Sequence, residues 1–178
     1  ATYSVSGTTT VYTITVASGY SPKIILNGVD INVSATSEKA AFFIAEDSTG
    51  DVVIEIADNT TNSLKSGANR AGIDKSSALG AAENMVGTLT INGGLATSAN
   101  TGTLYAQGGL NAAGIGGGSQ KSAGEIIING GKLTTRSNGL QYNVGSGCAA
   151  SIGGGGGDPL LAKYARVTIN GGYLDSTT

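Results

Sequence analysis

Apolar and polar residues alternate along much of the chain, in short runs that end at glycine turns. Near the N-terminus, Tyr3 and Val5 are followed by Tyr12, Ile14 and Val16, with one serine or threonine between neighbours in each group. Further strand-like runs occupy residues 23–33, 41–45 and 52–57. Because a period of two places alternate side chains on one face, this pattern predicts β-strands with one buried face.

The turn sequence Ile-Asn-Gly-Gly recurs three times, each time after a short run rich in β-branched residues. Asn129 follows Asn92 by 37 residues, and Asn170 follows Asn129 by 41. A second motif keeps the same pace, since Ile115 and Ile152 each lie 23 residues after the preceding turn asparagine. Self-similarity at such a period predicts a repeated structural unit. The turn residues are Asn92, Gly93, Gly94, Asn129, Gly130, Gly131, Asn170, Gly171 and Gly172.

We interpret the repeat as a β-solenoid of about four or five coils, in which equivalent residues of successive coils stack in ladders. Propeller blades have a similar length, but the chain has too few repeats to close a ring. Stacked turn asparagines would form an amide ladder, and ladders that include Ile73, Ile115 and Ile152 would form the core. The chain is then a single domain, 1–178, with an N-terminal strand segment (1–22), irregular coils (23–86) and regular coils (87–178).

Several of these segments together resemble a known family. Residues 11–15, 24–31, 53–64 and 87–94 are similar to bacterial cell-surface β-helix proteins described as carbohydrate-binding. The resemblance implies a right-handed parallel β-helix like that of the pectate lyases. It also implies binding of cellulose or an acidic polysaccharide, with calcium as a cofactor.

The composition limits the cellular locations and the classes of binding partner that we expect for this protein. Charged residues make up only 12% of the chain and the net charge is −2, which gives no attraction to nucleic acid or to an anionic membrane. No apolar stretch approaches the ~20 residues of a membrane span. Abundant Ser, Thr and Asn, with Ala1 in place of an initiator Met, indicate a secreted, extracellular or cell-surface protein. The sequons at Asn32 and Asn59 are candidate glycosylation sites, or chance matches in an Asn- and Thr-rich chain.

The candidate catalytic and metal-binding residues are few. The chain has no His to activate Cys148, which we expect to be a small buried apolar group, and its acidic residues are scattered. We therefore predict that the protein is not an enzyme. Asp47 and Asp51 lie around a glycine turn and are candidate calcium ligands, with a solvent-exposed corner as the alternative.

Two tyrosines recur at one position of the repeat. Tyr105 and Tyr142 each follow a turn asparagine, Asn92 or Asn129, by 13 residues. Side chains at equivalent positions would stack on one face of adjacent coils, where they could form a flat strip that binds a sugar. The alternative interpretation is an aromatic ladder that packs under a loop or in the core.

The favoured functional hypothesis is self-assembly. No helix-forming, Pro-rich or Lys-rich segment follows the third turn, so the last coil is expected to be left open, and the N-terminal segment is itself strand-forming. An open end and a free strand can join head to tail into a fibre. The alternative is a domain cut from a longer protein whose cap lies beyond Thr178. The protein would then be a non-catalytic structural subunit, with a monomeric polysaccharide-binding module as the alternative. The residues expected at the contact are Tyr3, Val5, Ile169, Tyr173 and Leu174.

Overall fold

The computed structural model describes residues 1–77, 87–138, 148–157 and 164–177, and all regular structure within these ranges is β-strand. The strands, numbered in chain order, form two sheets in which every strand pair is parallel. The larger sheet contains β1 (Thr2–Thr9), β3 (Lys23–Asn32), β5 (Val52–Ile56), β6 (Thr61–Lys65), β8 (Thr88–Asn92), β9 (Thr103–Leu110), β11 (Gly124–Ile128), β12 (Lys132–Asn138), β14 (Ala165–Ile169) and β15 (Tyr173–Thr177).

The smaller sheet has five short strands, and each is in parallel register with its neighbours. These strands lie in the order β13-β10-β7-β4-β2. They are β2 (Ile14–Val16), β4 (Phe42–Ile44), β7 (Ile73–Asp74), β10 (Ile115–Gly116) and β13 (Ile152–Gly153).

The larger sheet is organised around β3. The strand order is β14-β11-β8-β5-β3-β6-β9-β12-β15, so β3 lies at the centre and an arm of four strands extends on each side. Lys23–Leu26 of β3 pair with β5, whereas Asp30–Asn32 pair with β6. The opposite edge of β3 pairs with β1 along nearly its whole length. A single ten-residue strand therefore joins both arms into one curled sheet.

The prediction of a right-handed parallel β-helix with about four or five coils was wrong. The structure is all-β with parallel strands, but it consists of one curled, half-barrel sheet of ten strands and a second sheet of five. Asn27-Gly28 is a weaker copy of the corner sequence, but these two residues lie inside β3 and do not end it. The two halves of β3 pair with β5 and β6, so this one strand joins both arms of the curled sheet.

The core is built from columns of residues in register across neighbouring strands. One column runs through Tyr3, Ile24, Ile54, Ile91, Ile128 and Ile169. Its four inner members are buried, as are Phe42, Ile73 and Ile115 in the smaller sheet, whereas Ile152 is half-buried. Each buried side chain of this size contributes about 1.5–3 kcal/mol relative to an exposed one. The alternation seen in the sequence places these residues on the inner faces.

The three Ile-Asn-Gly-Gly corners are held together by their asparagines. Asn129 Nδ2 donates a hydrogen bond to Asn92 Oδ1 at 2.9 Å, and Asn170 Nδ2 donates to Asn129 Oδ1 at 2.8 Å. The ladder satisfies one donor and one acceptor per step at an exposed position. It also fixes the register of the β8, β11 and β14 strand ends.

The glycines of these corners are required for close approach as much as for conformation. Only Gly131 and Gly172 have positive φ, 89° and 101°. Gly130 does not, yet a Cβ at that position would lie 2.2 Å from the Gly93 carbonyl oxygen. The backbone of one corner therefore rests directly on the backbone of the next.

Replacing Gly130 with alanine tests this stacking. Because the added Cβ would meet fixed backbone, we expect Gly130→Ala to lower the free energy of unfolding by about 2 kcal/mol, as overpacking does. Gly171→Ala makes the same change at the third corner, where the nearest atom is a single carbonyl oxygen at 2.8 Å, and should have a smaller effect. Urea unfolding followed by circular dichroism measures both. A Gly130→Ala variant as stable as the natural chain would contradict the close approach of the corners.

Candidate functional site

The edge formed by β14 and β15, called the C-terminal edge below, exposes residues of the core columns. Ile169 is 55% exposed and Val167 is 37% exposed, although their register partners Ile128 and Ile126 are buried. Leu174 is half-buried beside Leu133 and packs against the core. Within the described part of the chain, no strand pairs with the outer side of β14 or β15. An apolar strip and a row of backbone groups therefore face outward together.

The opposite edge, formed by β1 and β2 and called the N-terminal edge below, also exposes apolar residues. Tyr3 is 55% exposed, and Val5 and Ile14 are half-buried against the core. A cavity of about 540 Å³ opens between β1, β2 and residues 17–22, and Tyr20 and Pro22 contribute to its wall. Both edges thus leave core-facing positions uncovered.

The two edges belong to the same columns. Tyr3 and Ile169 are the first and last members of the column described above. Thr9 and Ser176 are the first and last members of a second one, which passes through Ile31, Leu64, Ala106 and Thr135. Ile169 and Ser176 are seven positions apart in the sequence. Ile24 and Ile31, the β3 residues that pair with Tyr3 and Thr9 of β1, are also seven positions apart. The C-terminal edge therefore has the residue spacing that β1 already matches in its own chain.

The residues predicted for the assembly contact are all found at these two edges. Tyr173 is 58% exposed at the start of β15, next to Leu174. The sequence interpretation missed Val167, and it missed the cavity wall beside Tyr3. The alternation of Arg166, Val167 and Thr168 was a sufficient signal for Val167, because it continues the buried alternation of β11.

The acidic residues proposed for calcium have other surroundings. Asp47 is exposed, and its backbone carbonyl accepts a hydrogen bond from Ser18 Oγ at 3.3 Å. Asp51 Oδ1 accepts a hydrogen bond from the Thr88 backbone N–H at 2.7 Å, so it satisfies the first donor of β8. Within residues 1–77, 87–138, 148–157 and 164–177, no group of three or more His, Cys, Asp or Glu side chains is placed to hold a metal ion.

The tyrosine strip is described only in part. Tyr105 lies half-buried in β9, its hydroxyl donates to Gln107 Oε1 at 2.8 Å, and the Lys65 ammonium lies 5.6 Å from its ring centroid. Tyr142 lies outside the described residues. The aromatic face of Tyr105 is thus partly occupied by a cation from the neighbouring strand β6.

Three other predicted positions are on the surface. Asn32 and Asn59 are both exposed, and Asn32 Oδ1 accepts a hydrogen bond from the hydroxyl of Ser34, the third residue of its sequon, at 2.7 Å. Asn59 has a positive φ of 57°. Cys148 is exposed, so the expectation of a buried apolar cysteine was wrong. Although two alanines, Ala149 and Ala150, follow Cys148, its thiol does not lie in the core.

Two adjacent charged residues are buried, Asp74 at the end of β7 and Lys75 directly after it. Removal from water raises the pKa of the Asp74 carboxyl, and this effect is opposed by hydrogen bonds from Ser76 and by the Arg70 guanidinium. Burial likewise lowers the pKa of Lys75 from 10.5 to about 8, opposed by the carboxylates of Asp51 and Glu125. Perturbed groups of this kind mark candidate functional sites, although buried ion networks produce them too.

Comparison with known proteins gives no match. No family model, no curated protein and no solved structure is similar to this chain. The resemblance to carbohydrate-binding β-helix proteins is thus without support from these comparisons. Separately, among the residues with described positions there is no helix with the length and hydrophobicity needed to cross a bilayer.

The stability of the protein should depend on pH through Lys75. Between pH 8 and pH 10.5 the unfolded chain holds this proton more tightly than the folded chain does, so the free energy of unfolding should rise with pH. The full difference is about 3 kcal/mol. Urea titrations at a series of pH values, compared between the natural chain and Lys75→Met, measure the contribution. A rise of the same size in both proteins would contradict this assignment.

Proposed function

We propose that the protein is a non-catalytic extracellular structural subunit that associates end to end with further copies of itself into a fibre. The observation that supports this most directly is that one column of core residues reaches both edges, where Tyr3 and Ile169 are exposed. An uncovered parallel edge is a template for another strand. The low content of charged residues and the exposed sequons are compatible with an extracellular location.

A second copy is the partner that fits these edges best. Placed on the C-terminal edge, β1 of another copy would continue the register that it has on β3, because the column spacing is seven residues in both cases. Tyr3 would then cover Ile169, and Thr9 would lie on Ser176. Both contacts extend columns that already exist within the chain.

The asparagine ladder points to the same register. Ser4 of β1 belongs to the row that continues through Ile25, Glu55 and Asn92 to the ladder. In the proposed contact, the Ser4 hydroxyl of one copy would lie over Asn170 of the next. Within the described ladder Asn170 Nδ2 donates to Asn129 Oδ1, so in the proposed contact Asn170 Oδ1 would be the acceptor for this hydroxyl.

Such a contact joins two different surfaces, so it does not close on itself. Each added copy would be related to the previous one by a translation along the columns. A heterologous interface of this kind leaves a free edge after each addition, so the assembly grows as a fibre. The strip at each edge is apolar, with Val167, Ile169 and Tyr173 on one side and Tyr3 with the cavity wall on the other. Burial of these side chains supplies the driving force, and backbone pairing supplies the register.

Charges placed at the edges should block assembly selectively. We expect the natural chain to form elongated particles, and Ile169→Asp or Tyr3→Asp to remain monomeric, because each buries a carboxylate in the contact. A mixture of the two variants should give dimers only, since each retains one intact edge. Light scattering and negative-stain microscopy of the purified proteins measure these states.

Leu95→Asp is the matched control, because Leu95 is an apolar residue that is 77% exposed but lies between β8 and β9, away from both edges. It should assemble like the natural chain. A natural chain that remains a 17.5 kDa monomer at high concentration would refute the proposal. Assembly by Ile169→Asp as strong as that of the natural chain would do the same.

A further inference from the structure

Asparagine followed by glycine is the most chemically labile dipeptide type in this chain. The glycine backbone nitrogen can attack the asparagine Cγ, because glycine has no side chain to obstruct the approach. A bond forms between that nitrogen and Cγ, the Cγ–Nδ2 bond breaks, and ammonia leaves. Water then opens the cyclic imide at either carbonyl, giving aspartate or isoaspartate. The pairs are Asn27-Gly28, Asn92-Gly93, Asn129-Gly130, Asn138-Gly139 and Asn170-Gly171.

The three pairs at the corners differ in what lies over them. A Cβ at Gly93 would lie 2.7 Å from the Gly131 Cα, so the second corner covers the first. A Cβ at Gly172 would lie 2.9 Å from the Gly131 carbonyl oxygen, so the third corner covers the second. A Cβ at Gly171 would meet only the carbonyl group of Asn129, which lies beneath it. Among the residues with described positions, none covers the third corner.

The ladder also holds the three asparagines unequally. The Asn129 amide is held on both sides, since it donates to Asn92 and accepts from Asn170. Asn170 is exposed and is held only through its Nδ2, which donates to Asn129 Oδ1. Bringing its Cγ to the Gly171 nitrogen therefore breaks one ladder bond and displaces no covering corner.

The pair inside β3 is restrained in another way. Asn27 is exposed, but the Gly28 N–H donates to Asn62 Oδ1 at 3.0 Å, and Asn62 is buried. The attacking nitrogen is thus held away from Asn27. The remaining pair, Asn138-Gly139, extends beyond the described residues.

From these differences we infer that Asn170 is a site of spontaneous deamidation, the fastest of the four described pairs. The Gly171 N–H donates to no described acceptor, so it is available to lose its proton and attack. The product carries a carboxylate, which accepts hydrogen bonds but cannot donate them. A carboxylate oxygen would then face Asn129 Oδ1 in place of the donor now 2.8 Å away, so the last bond of the ladder would be lost.

Assembly should protect this site, a consequence that rests on the proposed function. A copy added at the C-terminal edge would cover the third corner as the third corner covers the second. Asn170 would then react in free copies and at fibre ends, but not inside a fibre.

Peptide mapping by mass spectrometry of the full chain tests the inference. The Tyr3→Asp variant, expected to be monomeric, leaves every third corner uncovered; if it does not fold, the natural chain diluted until it is monomeric replaces it. In mildly alkaline buffer, conversion at position 170 should be at least about tenfold faster than at positions 27, 92 and 129, because opening at an edge costs less than opening between layers. In urea these four positions should react at similar rates. Equal rates in the folded protein, or faster conversion at position 129, would overturn the inference.

A comparison with assembled protein separates this inference from the fibre proposal. Fibres of the natural chain should convert position 170 at least about tenfold more slowly than monomers do. If the natural chain never assembles but position 170 still converts fastest, the fibre proposal fails and the deamidation site stands. If fibres form but monomers convert positions 170 and 129 equally, the reverse holds. Fibres that convert position 170 at the monomer rate would refute its protection by the contact.

Discussion

The interaction on which the structure depends is backbone hydrogen bonding between parallel strands that are distant in sequence. Each inner strand of the two arms pairs with one strand about a repeat earlier and one about a repeat later, so its position is set by its neighbours. Side-chain requirements follow from this constraint. Most inner positions are aliphatic because they form continuous columns, and Gly130 must be glycine because its corner rests on the carbonyl of Gly93. The asparagine ladder adds side-chain hydrogen bonds between successive corners.

The same constraint creates the chemistry at the two edges. An open sheet always has edge strands that are unpaired on one side. In this protein the edge strands carry the same apolar residue types as the interior strands. Ile128 and Ile169 occupy neighbouring positions of the same column, yet only Ile128 is covered by another strand of the chain. The apolar edges are therefore continuations of the core, which distinguishes them from scattered exposed hydrophobic residues.

Much of this could be predicted from the sequence, because stacking produces local signals. Alternation identified β5, β8 and β11, and the recurrence of Asn92, Asn129 and Asn170 identified residues that lie side by side. The overall architecture could not, since Asn27-Gly28 shares only the Asn-Gly pair with the three corners and lies within β3. The ion pairs that join distant turns could not be predicted either, because their partners lie far apart in the sequence. Glu46 and Lys121, for example, are 75 positions apart, and a left-handed glutamate or glutamine such as Glu38 or Gln120 has no sequence signature.

The proposed fibre contact follows from the same stacked arrangement. The two edges lie at the ends of the columns, so an added copy would bury the exposed residues of the previous copy and would expose an equivalent edge of its own. The apolar area buried would therefore be the same at each addition, and so would the driving force. Because no edge is covered without a new one being formed, growth would be limited by the supply of free copies and not by the geometry of the contact.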